Sequence, residues 1–239
     1  MAKRGTAKSL TADVGNRIRT EIFTGVLRPG ERLLPAALSE RFDTSTTVVR
    51  EALALLAGER LIQSTAGRGY FIPDLLISEL LDITLVRSHV ESLALKLSIA
   101  RGGVEWEMRV IASHHRLAKT PRHSPEDPDR SSQEWSAHHR EFHEQLIGGC
   151  GVPVLLDLCR QITSATELYR IWADPSAKMA ARNVEAEHAA IVDAAIKGDA
   201  ETACQRLMTH YQTTAEAIVA EHDEPAPKNE PLAEEGRAG

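Results

Sequence analysis

LSERFDTSTTVVREAL, residues Leu38 to Leu53, holds two short helical stretches around a tight turn. Leu38, Phe42, Val48, Val49, Ala52, Leu53, Leu55 and Leu56 recur at helical spacing, and a side-chain oxygen of Ser45 or Thr46 is placed to cap the second stretch. That leaves Thr46, Thr47 and Arg50 on the exposed face. Upstream, Val14 to Phe23 reads as an amphipathic helix closed by Gly25, and Leu27-Arg28-Pro29-Gly30 as a turn before Glu31 to Leu34. Downstream, Leu61 to Ser64 and Tyr70 to Ile72 are strand-like and bracket Ala66-Gly67-Arg68-Gly69. Three helices and a two-stranded wing are the outline of a DNA-reading head.

Charge agrees with that outline. Residues 1–72 hold 11 Lys and Arg against 7 Asp and Glu, a net of +4; the remainder holds 17 against 27, a net of −10, within an overall −6. A basic head on an acidic body concentrates phosphate attraction where the second helix lies, yet +4 is modest, so two heads on a homodimer are expected. No apolar run approaches the ~20 residues of a membrane span, and MAKRGTAKSL lacks the apolar core of a signal peptide. The expectation is a soluble, cytoplasmic protein. Cys150, Cys159 and Cys204 are odd in number and lack CxxC spacing, which favours buried thiols over disulfides or a thiolate zinc site.

Beyond Pro73 the pattern turns helical. Helices are expected over Ile77 to Ala100, Val104 to Lys119, 133–147, 153–172 and 183–197, with Asp199 capping a last one that runs to about Glu221. Thr120 to Ser132, TPRHSPEDPDRSS, reads as a proline-rich charged loop. The fold class is therefore mainly α, a winged helix-turn-helix followed by an all-helical bundle. The divisions are 1–9 as a flexible lead, 10–73 as the head, 74–221 as the bundle and 222–239 as a disordered tail.

His139 and His143 stand four apart, which puts both imidazoles on one face of one helix. Ten residues separate His188 from Gly198, and eleven separate Asp199 from His210. If those two helices form a hairpin, the rings stand at nearly equal height, which permits one shared site. His114, His115 and His138 are left as surface histidines.

GxLxPGxxL, LSERFxxSxxxVREAL and RGYF, in that order over about residues 10–73, resemble the winged helix-turn-helix of GntR-type bacterial transcription regulators. The resemblance implies DNA contacts from Arg50 on the recognition helix and from Arg68 and Gly69 on the wing; Ser45, Thr46 and Thr47, at the start and on the exposed face of that helix, are candidate contacts beside them. The chain departs from the usual pattern in having Asp43, Thr44, Thr46 and Val48 where Gly, Val, Arg and Pro are common. The missing arginine at Thr46 removes a phosphate or guanine contact, so a different operator is implied.

The histidines resemble those of the FadR branch with its FCD ligand-binding domain, nearest to the regulators of carbon-starvation and glutarate-related operons. The motif there is an Asp four residues before a His, then two histidines on later helices; here Phe142-His143, the EHAAIVDAAIKGD of 187–199 and Met208-Thr209-His210 carry it. The final His comes one residue earlier than a short MxxH pattern, although the 22-residue interval from His188 matches. His139 stands where that branch usually has Asp. Four neutral imidazoles suit Zn²⁺, and also Ni²⁺ or Cu²⁺, better than Mg²⁺ or Ca²⁺. The resemblance further implies an effector-facing arginine, Arg87 in Arg87-Ser88-His89-Val90-Glu91, with an internal Arg87–Glu91 ion pair as the plain alternative. An Asn common before the Pro of this branch is absent from Gly151-Val152-Pro153.

The expected function is a ligand-responsive transcription regulator that binds double-stranded operator DNA. It would repress a catabolic operon and be relieved by a small carboxylate, by extension a C5 dicarboxylate. It is not expected to be an enzyme. Two other readings stay open: a helical metallohydrolase with a nucleic-acid-binding appendage, in which Glu141, Glu144 or Glu187 serves as base, and an effector-independent DNA-binding protein with a structural metal.

Overall fold

The computed structural model describes residues 3–124, 127–173 and 182–222. The head begins with α1 (Lys3–Phe23), β1 (Arg32–Leu33), α2 (Pro35–Arg41) and α3 (Thr46–Gly58), and ends with the wing strands β2 (Gln63–Thr65) and β3 (Gly69–Phe71). Helical backbone starts at Lys3, well before the expected Val14 and inside the residues read as a flexible lead. Between Thr6 and Val14 the sequence has neither Gly nor Pro to stop it. The wing is larger than two strands: β1 pairs antiparallel with β3 (Arg32 opposite Phe71), and β3 pairs with β2 (Ser64 opposite Tyr70).

A compact core holds these pieces together. Val14, Ile18 and Ile22 of α1 are buried with Leu38, Phe42, Val49, Leu53 and Leu56, as the helical spacing requires. The turn between α2 and α3 depends on Asp43, whose φ of +49° lies in the left-handed region. Asp43 N donates to Glu40 O and Thr44 N to Ser39 O, which closes the turn. A second left-handed residue, Arg60 at φ +59°, ends α3: Arg60 N donates to Ala57 O and Leu61 N to Leu56 O, the double bond of a Schellman motif.

The bundle comprises α4 (Ile77–Arg101), α5 (Gly103–Lys119), α6 (Gln133–Ile147), α7 (Pro153–Ala173), α8 (Val184–Ile196) and α9 (Ala200–His222). Helix α4 is the central member and packs most extensively on α9 and α7. Leu95, Trp106, Val110, Phe142, Leu146, Ile191 and Leu207 form the main core. Gly102 and Gly149 admit the Trp106 ring, since a Cβ on either would lie 2.6 or 2.9 Å from it. Gly198, at φ +74°, turns the chain from α8 into α9, and Asp199 Oδ1 accepts from Thr202 N at 3.0 Å. This hairpin sets His188 level with His210.

The segment read as a proline-rich loop is a hairpin instead. The strands β4 (His123–Ser124) and β5 (Asp127–Ser131) pair antiparallel with a register shift. In a two-stranded ribbon both strands are edges, the setting in which a strand admits a proline such as Pro128. Cys150, Cys159 and Cys204 are free, the first two buried and the third half-buried; burial is the largest cause of the Cys159 thiol being pushed up to about 12. No helix among the described residues is long and apolar enough to cross a membrane. The expected tail over 222–239 lies, after His222, outside the described residues.

Candidate functional site

Two sites emerge. On the head, Ser45 has extended backbone and caps α3, its Oγ accepting from Val48 N at 3.3 Å. Ser45, Thr46, Thr47, Arg50, Arg68 and Gly69 are all exposed. Among the described residues neither nearby carboxylate is paired with the Arg50 guanidinium: Glu51 accepts from Thr11, and Glu59 binds Arg19. Arg68 leans over the Phe71 ring at 5.8 Å. A helix N-terminus presenting hydroxyls and an arginine, flanked by a glycine-hinged wing with a second arginine, is suited to phosphates and base edges.

The second site lies inside the bundle. His139 and His143 on α6, His188 on α8 and His210 on α9 are buried, and one nitrogen from each lies within 4.8 Å of the others. Nitrogens bound at ~2.1 Å around one tetrahedral ion would stand ~3.4 Å apart, so a pair at 4.8 Å would have to close by more than an ångström to share it. Burial, reinforced by the neighbouring rings, holds His139, His143 and His188 well below the ordinary imidazole value. His210 is lowered by burial despite the opposing pull of Glu187. Neutral rings are the form that ligates.

The hydrogen bonds around the cluster select its free nitrogens. His210 Nδ1 lies 2.7 Å from Glu187 Oε2, and Glu187 is itself gripped by Arg182 at 2.6 Å. His143 Nδ1 lies 3.1 Å from Tyr211 Oη. His143 Nε2 and His188 Nε2 are buried with no hydrogen-bond partner. Leaving such an atom unsatisfied costs about 1–3 kcal/mol, a cost that a divalent ion bound by both nitrogens would remove. The residues present therefore fit a borderline-soft divalent ion. His139 stacks on Trp135 with centroids 4.8 Å apart, which fixes its ring plane.

A compact cavity of about 40 Å³ adjoins the cluster, lined by His139 and His210 together with Arg87, Arg122, Arg170 and Arg182. Arg87 forms the ion pair with Glu91 (2.7 Å) that stood as the plain alternative, and it also lines this cavity. On the other side, a larger cavity of about 970 Å³ opens along the seam with the head, from Asn16, Arg19 and Phe23 of α1 to Arg140 and His143 of α6. There the Arg140 guanidinium sits 5.3 Å from the Phe23 ring centroid.

Tyr211, Arg122, Arg170 and Arg182 were not legible as site residues, and Glu187 was named only as a base for the hydrolase alternative. Glu187 adjoins His188 and Tyr211 adjoins His210, and adjacency to a candidate ligand was the only available signal. Of the expected surface histidines, His115 is exposed, His138 bonds Thr120 at 2.8 Å, and His114 is half-buried against Phe142 with its Nε2 lacking a partner.

A winged helix-turn-helix joined to a helical bundle with a buried histidine cluster is the architecture of a DNA-binding transcription regulator. The chain belongs to the gntR family of bacterial regulatory proteins, matched over residues 10–72, and carries an FCD domain, matched over residues 82–213. It is 32% identical to the HTH-type transcriptional regulator BphR of Paraburkholderia xenovorans (strain LB400), across 88% of this chain and 86% of that protein. It is 33% identical to the HTH-type transcriptional repressor GlaR of Escherichia coli (strain K12), across 65% of this chain and 70% of that protein. The solved structure of E. coli McbR/YncC has the same fold, with a TM-score of 0.72, 18% identity, and coverage of 90% of this chain and 99% of that one.

Proposed function

We propose that this regulator is a homodimeric repressor whose FCD bundle, residues 74–221, holds one zinc ion on His139, His143, His188 and His210 and senses a small carboxylate beside it. The observation that carries the reading is the pair of buried, unpartnered imidazole nitrogens in a four-histidine cluster next to an arginine-lined cavity. When bound, the ion would supply a Lewis-acidic contact for a carboxylate oxygen. The cavity takes about three waters at ~10–15 Å³ each, enough for a carboxylate head but not for a dicarboxylate body. Binding the rest of such an effector would part the helices. Support for repression comes from the relative named as a repressor.

Helix α6 links sensing to DNA. It carries His139 and His143 on the cluster and Arg140 against Phe23 of the head, so a shift of α6 reaches α1 directly. An effector changes DNA affinity only by binding one head arrangement better than the other. Exposed Leu81, Leu85, Val86 and Leu93 on the outer side of α4 supply an apolar surface for a second copy. Ser45, Thr46, Thr47, Arg50, Arg68 and Gly69 would contact operator DNA, each head one half-site.

The nearby carboxylates argue for sensing over hydrolysis. Glu91 and Glu187 are engaged by Arg87 and Tyr211, and by Arg182 and His210; Glu141 accepts from Arg116 at both oxygens. None of these three is left as a base for a metal-bound water. Glu144, the remaining carboxylate named for that role, lines the larger cavity with His143, its carboxyl raised by burial, and stays the candidate base of the hydrolase reading. Footprinting of the promoter next to the protein's own gene, titrated with small carboxylates, tests the reading. Release by one of them supports it; a footprint insensitive to all of them, with a fully metallated protein, contradicts it.

A further inference from the structure

The shell around the cluster holds a relay in which each atom has one role. Tyr211 is 5% exposed and its hydroxyl donates to Glu91, so the same oxygen accepts from His143 Nδ1–H at 3.1 Å. Glu91, 1% exposed, also accepts at Oε1 from Arg87 Nε (2.7 Å) and Thr163 Oγ1 (2.8 Å). The Arg87 guanidinium in turn lies 4.1 Å from the centroid of the Tyr211 ring. With its Nδ1 proton engaged, His143 keeps the lone pair on Nε2, the buried atom that has no partner.

We propose that Tyr211 is a positioning residue for the metal ion: through its hydroxyl it fixes the ligating tautomer of His143 and anchors that ring to the Arg87–Glu91 pair of α4. This rests on the reading that the cluster holds a metal. It also accounts for a first coordination shell with no carboxylate. The negative charge stands one step out, Glu91 acting on His143 through Tyr211 as Glu187 acts on His210 directly. Partners of this kind orient a ligating imidazole and raise its basicity, and their loss costs ~10–100-fold in metal affinity.

The test uses the full chain, with Zn²⁺ affinity measured by competition with a chromophoric chelator and Co²⁺ binding followed by visible absorption. Tyr211→Phe keeps the ring and removes only the hydroxyl. It is expected to melt near wild type without metal, to bind Zn²⁺ ~10–100-fold more weakly, and to give an altered Co²⁺ spectrum. Glu91→Gln, which leaves the tyrosine in place, shifts affinity in the same direction and reads the relay even where Tyr211→Phe does not fold. His188→Ala removes measurable binding. If wild type takes up neither ion, the metal reading falls and the positioning role with it. If wild type binds while Tyr211→Phe or a folded Glu91→Gln binds within twofold of it with an unchanged spectrum, Tyr211 only packs and the proposal alone is overturned.

Discussion

Glu187 Oε2 and His210 Nδ1 lie 2.7 Å apart, which places the ring proton on Nδ1 and leaves Nε2 free for a metal. Burial works to raise the Glu187 carboxyl, but the bonds from His210 and Arg182 more than offset this and hold it below the ordinary range, so the acceptor is anionic. Glu187→Gln is therefore expected to weaken Zn²⁺ binding by about tenfold or more while leaving DNA affinity of the effector-free protein close to wild type. Chelator competition checks this. Equal affinity would mean that the carboxylate serves only Arg182.

The histidine cluster makes the metal-free protein acid-sensitive. In the unfolded chain four imidazoles protonate as pH falls through about 6.5. In the folded chain burial keeps His139, His143 and His188 neutral to well below that value, and His210 below it. The unfolded state then holds more protons, so stability is lost as pH falls below about 6.5, by up to ~1.4 kcal/mol per pH unit for each ring. Melting temperatures of chelator-treated protein between about pH 7.5 and 5.5 should drop steeply. A flat profile would show that the rings are not buried neutral.

Asp43 and Arg60 occupy left-handed backbone that glycine adopts without strain. Such a conformation costs an L-residue roughly 1–2 kcal/mol, less for Asp. Arg60→Gly should stabilise the head by about 1 kcal/mol and Asp43→Gly by less, read from urea midpoints at unchanged slope. A loss of stability in Asp43→Gly would mean that its side chain holds the turn.

Arg50 and Arg68 should separate in kind. Arg50→Ala is expected to cost about 1–3 kcal/mol in specific binding with little change on random DNA. Arg68→Ala should weaken both and reduce the salt slope by about one charge. Fluorescence anisotropy across a salt series distinguishes them, and full specificity in folded Arg50→Ala would remove it from the reading surface.

Much of this arrangement is visible in the sequence because it is local. The head follows from helical spacing between Leu38 and Leu56, one capping serine and glycines at the wing. His188 and His210 come level because Gly198 and Asp199 divide their helices almost equally. What stayed hidden is long-range: Tyr211 meets Glu91 across 120 residues and His143 across 68, and no periodicity reports such pairs. The four arginines around the small cavity come from separate elements and converge only in the fold. The β4–β5 hairpin was obscured by composition, since Pro and charge read as loop although a two-stranded ribbon tolerates both.

The proposed function stands on the four histidines forming one metal centre. The most direct measurement is the zinc content per chain of full-length protein purified without chelators, alongside His188→Ala prepared identically. Close to one ion per wild-type chain and almost none in a folded His188→Ala are expected. A folded, DNA-binding wild type without metal, even after dialysis against Zn²⁺, or a variant that retains the wild-type content, would contradict it.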